Sequence, residues 1–478
     1  MDGEASFAPE QFARAFQGLL DWVPTATLQP DGFAERLRSH FGCDPASLPA
    51  TSFKPADLDR PNVQLALDVY LAEQGRQSEL IGLATPSSHI ELTFSLLVAR
   101  AQPGYRIQPG PVGRTMIALD EGRSLACVSS GMFFISEGDS RLAVLVANQR
   151  FPSEGMAVEV MAPSLQDAEV FLHELRGLMR MHNVYRRKLI SLSGAQTPMG
   201  SKIEVMFHSR EPLERDEIVL PDGVLERAER STIVFDRHAS ELRERGHHMR
   251  RGLLLYGPPG TGKTLTATYL AGALADRTSI VLTGPALSLV RGSCAMARDL
   301  QPSMVILEDI DLIAQERTTM GANTTSLLFQ LLNEIDGIGT DTDVIFVMTT
   351  NRADLLEAAL AARPGRVDQA IEFPLPDAGA RARLVELFCR DLDADLSRLD
   401  VLVAETDGAS PAFLRELVRK AALYAAMGGE PAIGQAQFAD ALRELEEGGK
   451  LTRSILGAGD GAAPAATAPA SPRRSDCG

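Results

Sequence analysis

The sequence predicts an α/β fold: a parallel sheet flanked by helices and capped by a helical lid, preceded by a separate α/β N-terminal domain. Three observations predict it. Short apolar runs at residues 252–256, 280–282, 304–307 and 344–348 alternate with helical stretches, the rhythm of strands buried on both faces of a parallel sheet. The first run leads directly into a glycine-rich stretch and a helix, the order that a phosphate-binding loop requires. Upstream, apolar and polar residues alternate with period two, the mark of half-buried strands in a different sheet.

Taken in order, residues 1–85 mix short helical patterns with proline-rich turns and are expected to form a mostly helical segment. From His89 the pattern changes, as Ile90, Leu92, Phe94, Leu96 and Val98 alternate with polar residues and predict a strand. Further strands are expected at 124–128, 132–135, 142–147 and 156–161, a helix at 165–181, and another alternation at Ile203, Val205 and Phe207. Residues 86–210 are therefore expected to be an α/β substrate- or partner-binding domain. A charged stretch with Pro221, Asp222 and Gly223 makes 211–225 a linker. The large nucleotide-binding subdomain follows at 226–376. Helices at 380–391, 411–426 and 435–447 build the lid, 377–447, and the Ala/Gly/Pro/Ser-rich residues 448–478 lack the apolar groups to pack, predicting a disordered tail.

The composition excludes several classes. A 478-residue chain that is 45% hydrophobic can bury several cores, which rules out fibrous or disordered proteins. A net charge of -16 disfavours nucleic acid and anionic membranes as partners. The five cysteines lie far apart, without disulfide or zinc spacing, and suit a reducing cytoplasm. No stretch approaches the roughly 20 apolar residues that span a bilayer, so neither export nor membrane insertion is expected.

The chemistry concentrates in Gly257-Pro258-Pro259-Gly260-Thr261-Gly262-Lys263-Thr264. Glycines let backbone N–H groups curl around the β-phosphate of ATP, Lys263 reaches the β and γ oxygens, and the Thr264 hydroxyl faces Mg2+. The run 304–307 ends in Glu308, Asp309, Ile310 and Asp311, acids at the carboxyl edge of a buried strand, where nucleotide sites form. Glu308 is assigned to the magnesium shell and Asp309 to orienting the attacking water. Acids at a helix start are also favoured by the helix dipole alone. After the run 344–348, Asn351 is placed to hydrogen-bond the γ-phosphate or the water, although asparagine before a loop also serves as a plain turn residue.

The order YGPPGTGKT, LEDID, FQLLNEIDGI, FVMTTNRADLLEAAL and ARPGRVD resembles the AAA family of ATPases over roughly residues 211–447. The resemblance implies that Asn351 senses the γ-phosphate and that Arg363 and Arg366 reach into a neighbouring subunit's ATP, hence a homo-oligomeric ring, usually of six. A planar cation supplied in trans neutralises charge in the transition state. Residues 405–411 are similar to the family's glycine-alanine sensor in the lid, and also suit a helix N-cap before Pro411. Glu308-Asp309 inverts the usual Asp-Glu order, as in the mitochondrial AAA translocase of the Rieske protein, which residues 216–257 also resemble. No counterpart of that translocase's transmembrane helix is expected in this chain. Where unfoldases of the family carry an aromatic pore residue, residues 284–292 offer only Leu289 and Val290, to touch substrate or simply to pack. The expected function is an ATP-hydrolysing motor that remodels or translocates protein, with a client or adaptor bound by the N-terminal domain. The alternative is a nucleotide-controlled scaffold or switch that does not unfold its partner.

Overall fold

The computed structural model describes residues 32–84, 92–98, 107–149, 155–197, 200–210, 213–312, 334, 337, 342–354 and 367–447. Its contacts divide the chain into two compact units, Met1–Val184 with Ala195–Val205, and Tyr185–Gly194 with Met206–Gly478.

The first unit is built on an antiparallel sheet. Strands β1 (Ala50–Phe53), β2 (Arg76–Ala84), β3 (Gln108–Gly110), β4 (Gly113–Ala118), β5 (Ser124–Glu137), β6 (Ser140–Gln149) and β7 (Gly155–Met161) lie in the order β1-β7-β6-β5-β2-β3, with β4 also on β5. Alternation along β6 explains its two cores. Leu142, Val144 and Val146 face helices α2 (Arg60–Leu71) and α4 (Leu165–Met181), which contribute Leu67, Tyr70, Phe171 and Leu175. Ala143, Leu145 and Ala147 face α1 (Gly32–Phe41) and α3 (Phe94–Val98), which contribute Phe33, Leu37, Phe94 and Leu97. Successive strand side chains point to opposite faces, so one strand feeds both layers.

Two expectations differ here. Residues 94–98 form a helix where alternation suggested a strand. The Glu159 carboxylate accepts the Phe94 amide at 2.7 Å and the Thr93 hydroxyl accepts that of Leu96 at 3.2 Å, which starts a helix turn. Phe94 and Leu97, three residues apart, then bury together. Moreover, β1 and β2 fall in the stretch expected to be mostly helical, and β2 pairs along β5 from Arg76↔Glu137 to Ile81↔Met132. No division of the sheet occurs at residue 85.

The second unit carries the parallel sheet. Strands β10 (Arg251–Tyr256), β11 (Thr278–Leu282), β12 (Ser303–Leu307), β13 (Val344–Thr350) and β14 (Gln369–Glu372) run in the order β14-β10-β13-β12-β11, all paired parallel. Their apolar runs are buried on both faces, as in the neighbours Leu253 and Leu254 or Ile306 and Leu307, consistent with helices on each side. The sheet is extended at β11 by β8 (Leu189–Thr197) and β9 (Gly200–His208), β8 pairing parallel through Ile190↔Ile280. Strands from before residue 211 thus extend this sheet and cover the edge that β11 would otherwise expose. The lid is a helical cluster of α7 (Ala378–Phe388), α8 (Leu399–Glu405), α9 (Pro411–Gly428) and α10 (Gln435–Glu447), packed through Leu384, Leu402, Leu414, Leu417, Phe438 and Leu442. Its Pro411 follows Ser410, whose side chain accepts the Phe413 amide at 3.1 Å, a cap that starts the longest lid helix.

Candidate nucleotide-hydrolysis site

The site follows from strand order. Strands β12, β13 and β10 are neighbours, with Leu307 opposite Met348 and Tyr256 opposite Thr350. Their carboxyl ends therefore bring Glu308, Asn351 and Gly257 to one edge of the sheet, although they are scattered over nearly 100 residues of sequence. Glycine is obligatory where the loop leaves β10, because a Cβ on Gly257 would lie 2.3 Å from the Phe373 carbonyl oxygen. Gly262 caps the loop's helix, α5 (Lys263–Ala273), at φ 97°, a backbone conformation that costs other residues energy.

Within the loop, Thr261 is buried and donates its hydroxyl to the Pro258 carbonyl at 2.8 Å. The Lys263 ammonium donates to the carbonyls of Gly257 at 2.9 Å and Pro258 at 2.7 Å. Burial pushes its pKa down to about 8, against the pull of the Asp309 and Asp311 carboxylates. A cation held in this way, with loop carbonyls as its acceptors, is poised to exchange them for phosphate oxygens. Burial raises the pKa of the Glu308 carboxylate, and the nearby Thr264 hydroxyl pulls it the other way. One hydroxyl and one carboxylate side by side fit Mg2+, which prefers oxygen ligands and few protein groups. When bound with ATP there, the ion would neutralise charge between phosphate oxygens.

Asp309 stands in the left-handed region at φ 50°, uncommon for a residue with a side chain. Its amide donates to the Thr349 hydroxyl at 3.0 Å, and the Ile310 amide to the Thr349 carbonyl at 3.0 Å. The Asn351 side-chain amide donates to the Asp309 carboxylate at 3.2 Å. The two residues expected to handle the water and the γ-phosphate thus touch each other, beside the loop.

A cavity of about 430 Å³ opens over these groups, lined by Pro259 to Leu265, Asp309 and Asn351 at one end. Its other end is apolar and was not legible in the motifs: Ile218, Val219 and Leu220 from the linker face Leu384, Phe388, Pro411 and Ala412 of the lid. The Ala412 amide donates to the Gly260 carbonyl at 3.3 Å, docking the lid on the loop. Arg415 also lines the cavity, with its guanidinium over the Phe388 ring at 6.0 Å from the centroid. The sequence signal for this half was residues 405–411 of the lid, of which Pro411 lines the cavity. Gly408 and Ala409 do not line the cavity, and Ala409 is buried in the lid core. Of the pore candidates, Val290 is buried at the start of α6 (Val290–Asp299), and Leu289 ends the short turn before it. Arg363 and Arg366, the motif 329–338 apart from Glu334 and Gly337, and the tail 448–478 lie outside the described residues.

Fold and site together define a phosphate-loop nucleotide-binding ATPase domain with a helical lid. Residues 253–375 match the family described as "ATPase family associated with various cellular activities (AAA)", and the chain carries an ATPase domain of that family. It is 35% identical over 252 residues to "ATP-dependent zinc metalloprotease FtsH 3" of Sphaerobacter thermophilus, covering 49% of this chain and 51% of the relative. It is 33% identical over 209 residues to "26S proteasome regulatory subunit 6A" of Encephalitozoon cuniculi, covering 41% and 52%. It is 34% identical over 212 residues to "Proteasome-activating nucleotidase" of Methanothermobacter thermautotrophicus, covering 41% and 50%. The chain spans about half the length of these curated relatives. Among the described residues, no helix is long and apolar enough to cross a membrane.

Proposed function

We propose that the chain is a Mg2+-dependent, ATP-hydrolysing motor that works as a homo-oligomeric ring and remodels or translocates protein substrates. The observation that carries this reading is the meeting of Lys263, Thr264, Glu308, Asp309 and Asn351 at one sheet edge, under a lid whose helix is bonded to the loop. In this reading Lys263 holds the β- and γ-phosphates, Thr264 and Glu308 take the metal, and Asp309 orients and polarises the attacking water. Asn351 holds the Asp309 carboxylate in place and reads the γ-phosphate. Such a site works by positioning and charge neutralisation, because phosphoryl transfer asks little else of the protein. Arg363 and Arg366 of one subunit act on the neighbour's nucleotide.

The relatives' printed names, an ATP-dependent protease and proteasomal ATPases, support a protein substrate. The first unit, with no phosphate-loop motif of its own, is assigned the client or adaptor, and the compartment is the cytoplasm. The decisive variants are Lys263→Ala, expected to weaken ATP binding about 10- to 100-fold through loss of charge-assisted bonds, and Asp309→Asn. The latter keeps binding and loses turnover; normal hydrolysis by Asp309→Asn sinks the assignment.

A second reading, a nucleotide-controlled switch that grips a partner without threading it, is favoured by the burial of Val290 where a gripping side chain would stand. Client-stimulated turnover with loss of client structure supports the motor, and nucleotide-dependent binding without turnover supports the switch.

A further inference from the structure

Beyond its pull on Lys263, Asp311 has no role in the site as described, yet it is a buried carboxylate, 4% exposed, three residues after Glu308. Burying a charge is costly unless donors compensate it, and among the described residues its two donors come from the end of β13. Its Oδ1 accepts the Thr350 hydroxyl at 3.0 Å and the Asn351 backbone amide at 3.1 Å. The Thr350 hydroxyl in turn accepts the Arg352 amide at 3.0 Å, so the chain is pinned on both sides of Asn351. Thr350 is fully buried. The neighbouring lacing runs the other way, from the Asp309 amide to the Thr349 hydroxyl. Asp309 and Asn351 line the cavity, whereas Asp311 does not.

We propose that Asp311 is a positioning residue for ATP hydrolysis: it fixes the backbone of Asn351 so that the Asn351 side chain meets the Asp309 carboxylate. The role rests on the ATPase reading above. An apolar side chain would fill the same space without the desolvation cost, so a carboxylate here is explained by what it holds. It holds the residue whose amide reaches Asp309 at 3.2 Å. Freeing the end of β13 lets that amide swing, while the phosphate loop, which meets this strand end through the long 3.4 Å bond from the Gly257 amide to the Thr350 carbonyl, keeps its own bonds from Thr261 and Lys263. Turnover should therefore fall with little change in nucleotide affinity.

The test is steady-state ATPase kinetics on the full chain, with binding of a non-hydrolysable ATP analogue and thermal melting measured alongside. Asp311→Ala is expected to lower kcat about 10- to 100-fold, the scale of a small misplacement in an active site, with KM and analogue affinity within about three-fold. Asp311→Asn keeps an acceptor oxygen and should recover most of the loss. Asp311→Ala combined with Asn351→Ala should turn over no more slowly than Asn351→Ala alone, because one residue acts through the other. Should Asp311→Ala fail to fold, Thr350→Val, which removes one of the two donors with little change of shape, is expected to lower kcat in the same pattern. Unchanged kcat, an equal rise in KM, or losses that add in the double variant overturn the role of Asp311 alone. Wild-type protein without turnover overturns the ATPase reading and this role with it.

Discussion

Gly257 and Gly272 show how one substitution can have opposite effects within 16 residues. At Gly257, a Cβ meets the Phe373 carbonyl oxygen at 2.3 Å, a backbone atom that cannot rotate away. Gly257→Ala should cost about 1–3 kcal/mol as an overpacked contact, and should weaken ATP binding by displacing the loop. At Gly272, inside α5, an added Cβ meets nothing within 4 Å. Gly272→Ala should raise stability by about 0.5–1 kcal/mol through helix propensity. Denaturant unfolding of the two variants checks both signs, and equal effects would contradict the geometry. The same scale holds the catalytic pairing: the left-handed Asp309 is held by Thr349 below and met by Asn351 beside it. Of these, Asp309 and Asn351 were legible as types at the ends of apolar runs. Thr349 and Asp311 were not, because their importance lies in which strand end they face.

Among elements, the lid helix Pro411–Gly428 shows what a cap does beyond its own helix. Ser410 accepts the Phe413 amide at 3.1 Å, and one residue past Pro411 the Ala412 amide bonds the Gly260 carbonyl. Ser410→Ala removes the cap at a cost of about 1 kcal/mol. Because the capped turn is the one that docks on the phosphate loop, nucleotide affinity should fall together with stability. Calorimetric binding beside a thermal melt checks this, and a lower melting temperature with unchanged affinity would separate cap from docking. Strands β6, β12 and β13 were legible as unbroken apolar runs, and the helix Gln435–Glu447 from burial that repeats at Phe438, Ala441, Leu442 and Leu445. The α3 segment was not, since its alternation fits a strand until Glu159, 65 residues away, supplies a helix-starting acceptor. The β8 strand was likewise silent, as joining the motor sheet depends on the free edge of β11.

For the whole molecule, the prediction is that the site is shared. If Arg363 and Arg366 act on a neighbour's nucleotide, subunits carrying Arg366→Ala and subunits carrying Lys263→Ala are each inactive as pure rings. Mixed, they should regain partial turnover, because an intact loop then sits beside an intact arginine. ATPase assays across mixing ratios check this, and strict absence of recovery argues for a site complete within one chain. The sequence by itself determined the α/β class, the phosphate loop, the acids and asparagine that follow the buried strands, and the family resemblance. These are local: each depends on spacing within a motif or on a repeat of two or 3.6 residues. Only the tertiary structure decided that residues 50–84 share a sheet with 113–161, that β8 extends the motor sheet, and that Ile218, Val219, Leu220, Leu384 and Phe388 close the apolar end of the nucleotide cavity. It also decided that Asp311 holds Asn351. Those facts are contacts between residues far apart in the chain, and no pattern within a single segment encodes which distant strand end or lid helix a side chain will meet.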